Sequence, residues 1–197
     1  MMMKRLGYGF LLSLGLGLAT ASPGWSLPGQ TVIEVAAWIQ ANSTLRPGPG
    51  ERLLVNRIDT PAQRFTFQAS IFPPGTLRSS VQPRQIRTER IALFDMINGV
   101  SFNRLEESLR VIYGTDIFSD YQRSQPVYVY PTADSPVSNN PNLLIQGEIR
   151  EGDRYAYWIQ TTSDRSGSTD TGEISILLKE DIPGLLSRLQ EASALPE

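Results

Sequence analysis

The stretch from Arg90 to Gly114, RIALFDMINGVSFNRLEESLRVIYG, constrains the fold most, because its hydrophobic period changes halfway. Ile91 to Ile97 is a nearly continuous apolar run broken by Asp95. Phe102, Leu105, Leu109, Ile112 and Tyr113 then recur at three- and four-residue steps. The first pattern is that of a buried strand, the second that of one face of a helix. Asn98-Gly99 supplies a turn between them. Such a unit must bury both apolar surfaces, which calls for a sheet with helices laid on it. The helix carries its own signals. Asn103 with Glu106 has the N-cap and N3 relationship, with Ser101 as the other candidate cap. Glu106 and Arg110 have the i, i+4 spacing of an ion pair. Gly114 stands where a left-handed residue closes a helix.

The remaining elements follow from simpler patterns. Thr31-Val-Ile-Glu34 has capping-box form, and Val32, Val35, Ala36 and Ile39 continue it as a helical stripe ending near Asn42. Residues 52–58 and 64–72 read as a hairpin, the second strand alternating Phe65, Phe67, Ala69 and Ile71 against polar neighbours. Residues 76–90 read as a polar loop, and 115–125 as an irregular segment. Pro126-Val-Tyr-Val-Tyr-Pro131 is a short strand bounded by prolines, which belongs at a sheet edge. Leu143, Ile145 and Ile149 define one strand face, and Tyr155, Tyr157 and Ile159 a face of the next. A three-residue loop, Arg150-Glu151-Gly152, places both sets on one side and Gly152 in a left-handed position. A last strand over 173–179 leads to a helix capped by Asp181, with Ile182, Leu185, Leu186 and Leu189 along its buried side.

Together these give the order α-β-β-β-α-β-β-β-β-α. The expected class is α+β: a mostly antiparallel sheet of about six or seven strands with about three packed helices. Residues 1–26 read as a secretory signal, with Lys4 and Arg5 before an apolar run and cleavage sites near Ala21 or Ser26. Residues 27–197 then form one domain, exported to the periplasm or outside, or to the thylakoid lumen if the source has one. The apolar run is short for a membrane span, and its cleavage is expected to leave no stable span. Two lysines against sixteen arginines is a composition common in GC-rich bacterial genomes.

Function is bounded mainly by absences. The 197 residues contain no His and no Cys, which excludes Ser-His-Asp catalysis, thiol chemistry and ordinary zinc sites. Without Lys4 and Arg5 the chain has 16 basic and 20 acidic residues, a net −4, unlike a nucleic-acid binder. A Ser-Lys pair would have to use Lys179, which sits beside Glu180 and Asp181. Asp164, Ser166, Ser168, Asp170 and Glu173 alternate oxygens but fail the EF-hand spacing, so a turn is expected there. Carboxylate chemistry needs Glu148 to meet Asp116 or Asp120 across a cleft. Nothing calls for a metal or cofactor.

Aromatic residues around the edge strand are the positive signal. Tyr128, Tyr130, Trp158 and Tyr121 offer large contact area for recognition if exposed, and are core if helices cover both sheet faces. Arg84 and Arg87 lie in an arginine-bearing loop suited to anions or a partner. The expected function is an exported, non-enzymatic module that binds a protein partner through the edge strand. The alternative is a periplasmic small-ligand or sugar-binding protein, or a weak carboxylate hydrolase, which requires a concave pocket lined by rings and an acid.

Overall fold

The computed structural model describes residues 27–74, 76, 84–131, 140 and 142–194. The expected signal segment and most of the 132–142 loop lie outside the described residues. The order is α1 (Val32–Ala41), β1 (Leu54–Thr60), β2 (Gln63–Ser70), β3 (Thr88–Asp95), α2 (Phe102–Tyr113), α3 (Thr115–Arg123), β4 (Gln125–Tyr130), β5 (Leu143–Glu151), β6 (Ala156–Asp164), β7 (Thr171–Leu177) and α4 (Ile182–Ala194). Among the described residues the fold is α+β, with four helices on one seven-stranded sheet. Its strands run β1-β2-β3-β7-β6-β5-β4, and every neighbouring pair is antiparallel. None of the described helices is long and apolar enough to cross a membrane.

Chain topology decides which strands are left open. β3 and β7 meet at the centre, so a meander grows outward on each side of them. The chain leaves β3 through α2 and α3 and re-enters the sheet at the far edge as β4. The Pro-bounded strand is therefore an edge strand, as its prolines require.

The two faces are covered unequally. The front face presents Val55, Phe65, Phe67, Ile91, Tyr157, Ile159 and Ile174 to a core shared with α1, α2 and α3. Leu105 and Leu109 of α2 are fully buried there, each stabilising by about 1.5–3 kcal/mol. The back face is packed at one end, where Tyr130, Ile149, Ala156 and Leu177 lie under Ile182, Leu185 and Leu189 of α4. Toward β1 the back face carries Arg64, Thr66, Gln68 and Phe94, none of them buried. An antiparallel sheet tolerates this, since one of its faces can meet water.

Local signals explain the helix ends. The α1 capping box forms in full: the Thr31 hydroxyl accepts from the Glu34 amide, and the Glu34 carboxylate accepts from the Thr31 amide at 2.8 Å. For α2 the cap is Ser101, which accepts from the Arg104 amide. Arg110 pairs with Glu107, one turn position nearer than expected, because Glu106 is taken by the Tyr121 hydroxyl at 3.0 Å. Gly114 (φ 82°, ψ −172°) breaks the chain direction between α2 and α3. The expected irregular segment is thus a helix, α3, anchored by Ile117, Asp120 and Tyr121.

The hairpin of β5 and β6 corrects the expected register. Ile149 pairs with Trp158 rather than Asp153, and Glu151 with Ala156. The loop is Gly152 to Tyr155, closed by the Gly152 amide donating to the Tyr155 carbonyl at 2.8 Å. An odd slip exchanges faces. Tyr157 therefore joins the front core and Trp158 the back. Gly152 is needed for close approach: a Cβ there would stand 2.5 Å from the Asp120 carboxylate. Asp181, expected as the cap of α4, lies instead in a 3-10 turn, Lys179–Asp181, and its carboxylate accepts from Arg87.

Candidate functional site

The predicted aromatic residues divide between the two faces. Tyr130 is 1 % exposed. Its hydroxyl accepts from the Trp158 indole at 2.7 Å and donates to Gln160 at 2.8 Å. Tyr128 and Trp158 are half-buried against the same back cluster under α4, with the Tyr128 and Tyr130 rings 5.9 Å apart. Tyr121 lies on the front, buried edge-on against Tyr157 at 5.3 Å. Burial, followed by the charge of Glu106, pushes its phenol far above the usual tyrosine range. Tyr128, Tyr130 and Trp158 thus form a small core under α4, the second of the two placements the sequence allowed.

The arginines do not form one patch. Arg84 is exposed, before Thr88 opens β3. Arg87 forks onto Asp181, with Nε at 3.1 Å and Nη2 at 2.6 Å, and Nη2 also reaches Glu180 at 2.6 Å. It fastens the start of β3 to the start of α4.

The carboxylates sort in the same way. Asp120 is buried and accepts from the Asp153 and Arg154 amides at 3.0 and 3.3 Å and from the Tyr157 hydroxyl at 2.7 Å. It holds the β5–β6 turn onto α3. Glu148 does not meet it, pairing instead with Arg150 at 2.8 Å. The Asp164 carboxylate accepts from the Ser166 amide at 2.8 Å and the Ser168 amide at 3.0 Å, which makes 164–170 a turn. Among the described residues no cluster of His, Cys, Asp or Glu could hold a metal ion.

What the structure does bring together lies at the β4 edge on the front face. Val129 pairs with Glu148, so it faces α2, and it is 53 % exposed. Val127 is the extra residue of a bulge between Pro126 and Tyr128 and is 42 % exposed. Leu144, on the neighbouring strand, is 51 % exposed. Beside them a groove of about 310 Å³ is lined by Phe102, Glu106, Val129, Gln146 and Glu148. A second hollow of about 410 Å³, bounded by Ser101, Thr161 and Thr169, shares Phe102 and Gln146 with it as lining residues. The Thr161 hydroxyl is buried there with no hydrogen-bond partner among the described residues.

The groove has firm walls. Tyr121 of α3 holds Glu106 of α2. Arg150 ties Glu148 to α3, donating from Nη2 to the Ser124 carbonyl at 2.7 Å and from Nε to its hydroxyl at 2.8 Å. Valines at an edge are a weak signal in sequence, since strands favour valine everywhere. Only the register reveals that Val129 and Leu144 are uncovered.

The other sheet edge differs. β1 carries Arg57 and Asp59, charges of the kind that discourage strand pairing. A wider hollow beside it, about 590 Å³, includes Glu51. That carboxylate is occupied by the Gly48 and Asn56 amides at 2.6 and 2.9 Å.

No protein-family model matches the chain, and no curated protein or solved structure resembles it significantly.

Proposed function

We propose that the protein is an exported, non-enzymatic module that takes an extended segment of a partner protein as an added strand on β4. One observation carries this reading. Residues 127–130 form an uncharged edge whose exposed Val127 and Val129 adjoin Leu144 and a walled groove. An edge offers unpaired backbone groups for main-chain hydrogen bonds, and a flanking groove selects alternate side chains. The partner segment would run antiparallel or parallel to β4, with every second side chain apolar toward Phe102 and Leu144. Glu106 at the groove, held by the neutral Tyr121 hydroxyl, favours a basic residue at one of the intervening positions.

Selection of a random-peptide display library on the purified protein tests this. The expected result is enrichment of alternating apolar peptides carrying Lys or Arg, whose binding is lost in Val129→Lys and kept in Arg64→Ala on the back face. Peptides whose binding survives Val129→Lys, or no enriched sequence at all, would sink it.

A further inference from the structure

The back face holds a second feature, whose cleft shares no lining residue with the groove beside β4. A row of polar side chains drawn from five strands of the sheet runs across it, each bonded to the next. The Trp158 indole donates to the Tyr130 hydroxyl at 2.7 Å, and that hydroxyl donates to Gln160 Oε1 at 2.8 Å. Gln160 Nε2 donates to Glu173 Oε1 at 2.8 Å, and Arg90 Nη1 to Glu173 Oε2 at 2.8 Å. Arg90 Nη2 reaches Gln68 Oε1 at 3.4 Å. The row thus runs from β4 through β6, β7 and β3 to β2.

Part of this row is the floor of a cleft of about 330 Å³, which includes Gln68, Arg90, Glu173 and Ser175, with Trp158 and Phe72 also lining it. The size falls at the lower end of small-molecule sites. Arg188 of α4 donates to the Pro74 carbonyl, joining helix and segment 72–74 at the rim.

We infer that this cleft is a binding site for a neutral saccharide. Three features select that class. Arg90 and Glu173 neutralise each other in a direct pair, so the floor has no net charge to attract an ion. The Gln68 amide N–H groups have no partner within the row, and each Glu173 oxygen retains a lone pair. Donors and acceptors therefore alternate along the floor, as adjacent hydroxyls on a sugar ring require. Trp158 is held in place by its indole N–H, and an apolar ring of fixed orientation suits the C–H face of a pyranose. Because Trp158, Gln160, Glu173 and Arg90 are already oriented, little ordering of these groups remains for the ligand to induce.

Isothermal titration of the purified protein with glucose, galactose, mannose, N-acetylglucosamine, maltose, cellobiose and lactose tests the assignment, with glucuronate as the charged control. The expected result is saturable binding of at least one neutral sugar, weakened about tenfold in Gln68→Ala, the scale of one lost hydrogen bond, and abolished in Glu173→Gln. Gln68 lies at the partly exposed end of the row, so its variant decides the matter even if Glu173→Gln does not fold. Binding of no neutral sugar, binding that Gln68→Ala leaves unchanged, or binding of glucuronate alone would each overturn the assignment. Peptide capture at β4 is read on the opposite face and stands or falls separately.

Discussion

The indole N–H of Trp158 donates to the hydroxyl of Tyr130 at 2.7 Å, across β5, which lies between their strands. This bond and the one from Tyr130 to Gln160 tie the edge strand to the interior of the sheet. Tyr130→Phe leaves two buried or half-buried polar groups without their partner. The expected loss is about 1–3 kcal/mol in unfolding free energy, read as a lower urea midpoint. An unchanged midpoint would show that the bond contributes nothing net.

Gly147 makes that crossing possible. A Cβ at this position would stand 2.4 Å from the Ile159 carbonyl and 2.6 Å from the Tyr130 hydroxyl. Gly147→Ala is expected to destabilise by about 1–3 kcal/mol through overpacking. The carbonyl belongs to the β6 backbone, so adding Tyr130→Phe in the same chain does not restore the midpoint. Restoration by the second change would contradict this packing.

The two loop arginines are expected to behave differently. Arg87→Ala breaks the fork onto Asp181, whose side chain is nearly buried, and should lower stability by roughly 1.5–3 kcal/mol. Arg84→Ala, at an exposed position, should change it by less than about 0.5 kcal/mol. Chemical denaturation of both variants side by side checks the contrast.

Asp95 gives the fold an acid-sensitive point. Its carboxylate accepts from the Asn98 amide at 2.9 Å and pairs with Arg104 at 2.8 Å. The Asn98 amide above all, helped by Arg104 and the side chains of Asn98 and Gln63, holds it well below the usual carboxylate range. A carboxyl with a depressed folded pKa adds stability that is present above its unfolded value of about 3.9 and lost as pH falls below that. The stability gap between wild type and Asp95→Asn should therefore be wider at pH 7 than at pH 3. Urea midpoints at both values measure it, and a gap independent of pH would refute the assignment.

The succession of strands along the chain was legible in the sequence because strong period-two runs such as Arg64 to Phe72 and the period change after Asn98 have no competing reading. Thr31 and Glu34 announced α1 equally plainly. Helix α3 was hidden because one of its three buried anchors is a carboxylate, Asp120, whose partners lie more than thirty residues away. The β5–β6 register was hidden for a different reason. Helices cover both sheet faces there, so Tyr157 and Trp158 are both favourable inward residues, and alternation alone does not separate front from back. The candidate site inherited that ambiguity. Tyr128 and Tyr130 lie on the same edge strand as the candidate site, but its exposed surface belongs to Val127 and Val129.

The most direct measurement is site-specific photocrosslinking in the native host, with a photoreactive residue placed in turn at Val129, Leu144 and Arg64. One abundant protein adduct is expected from Val129 and Leu144, mapped by mass spectrometry to an extended segment of the partner, and none from Arg64. Adducts from Arg64 alone, or no adduct from Val129 and Leu144, would contradict strand addition at β4.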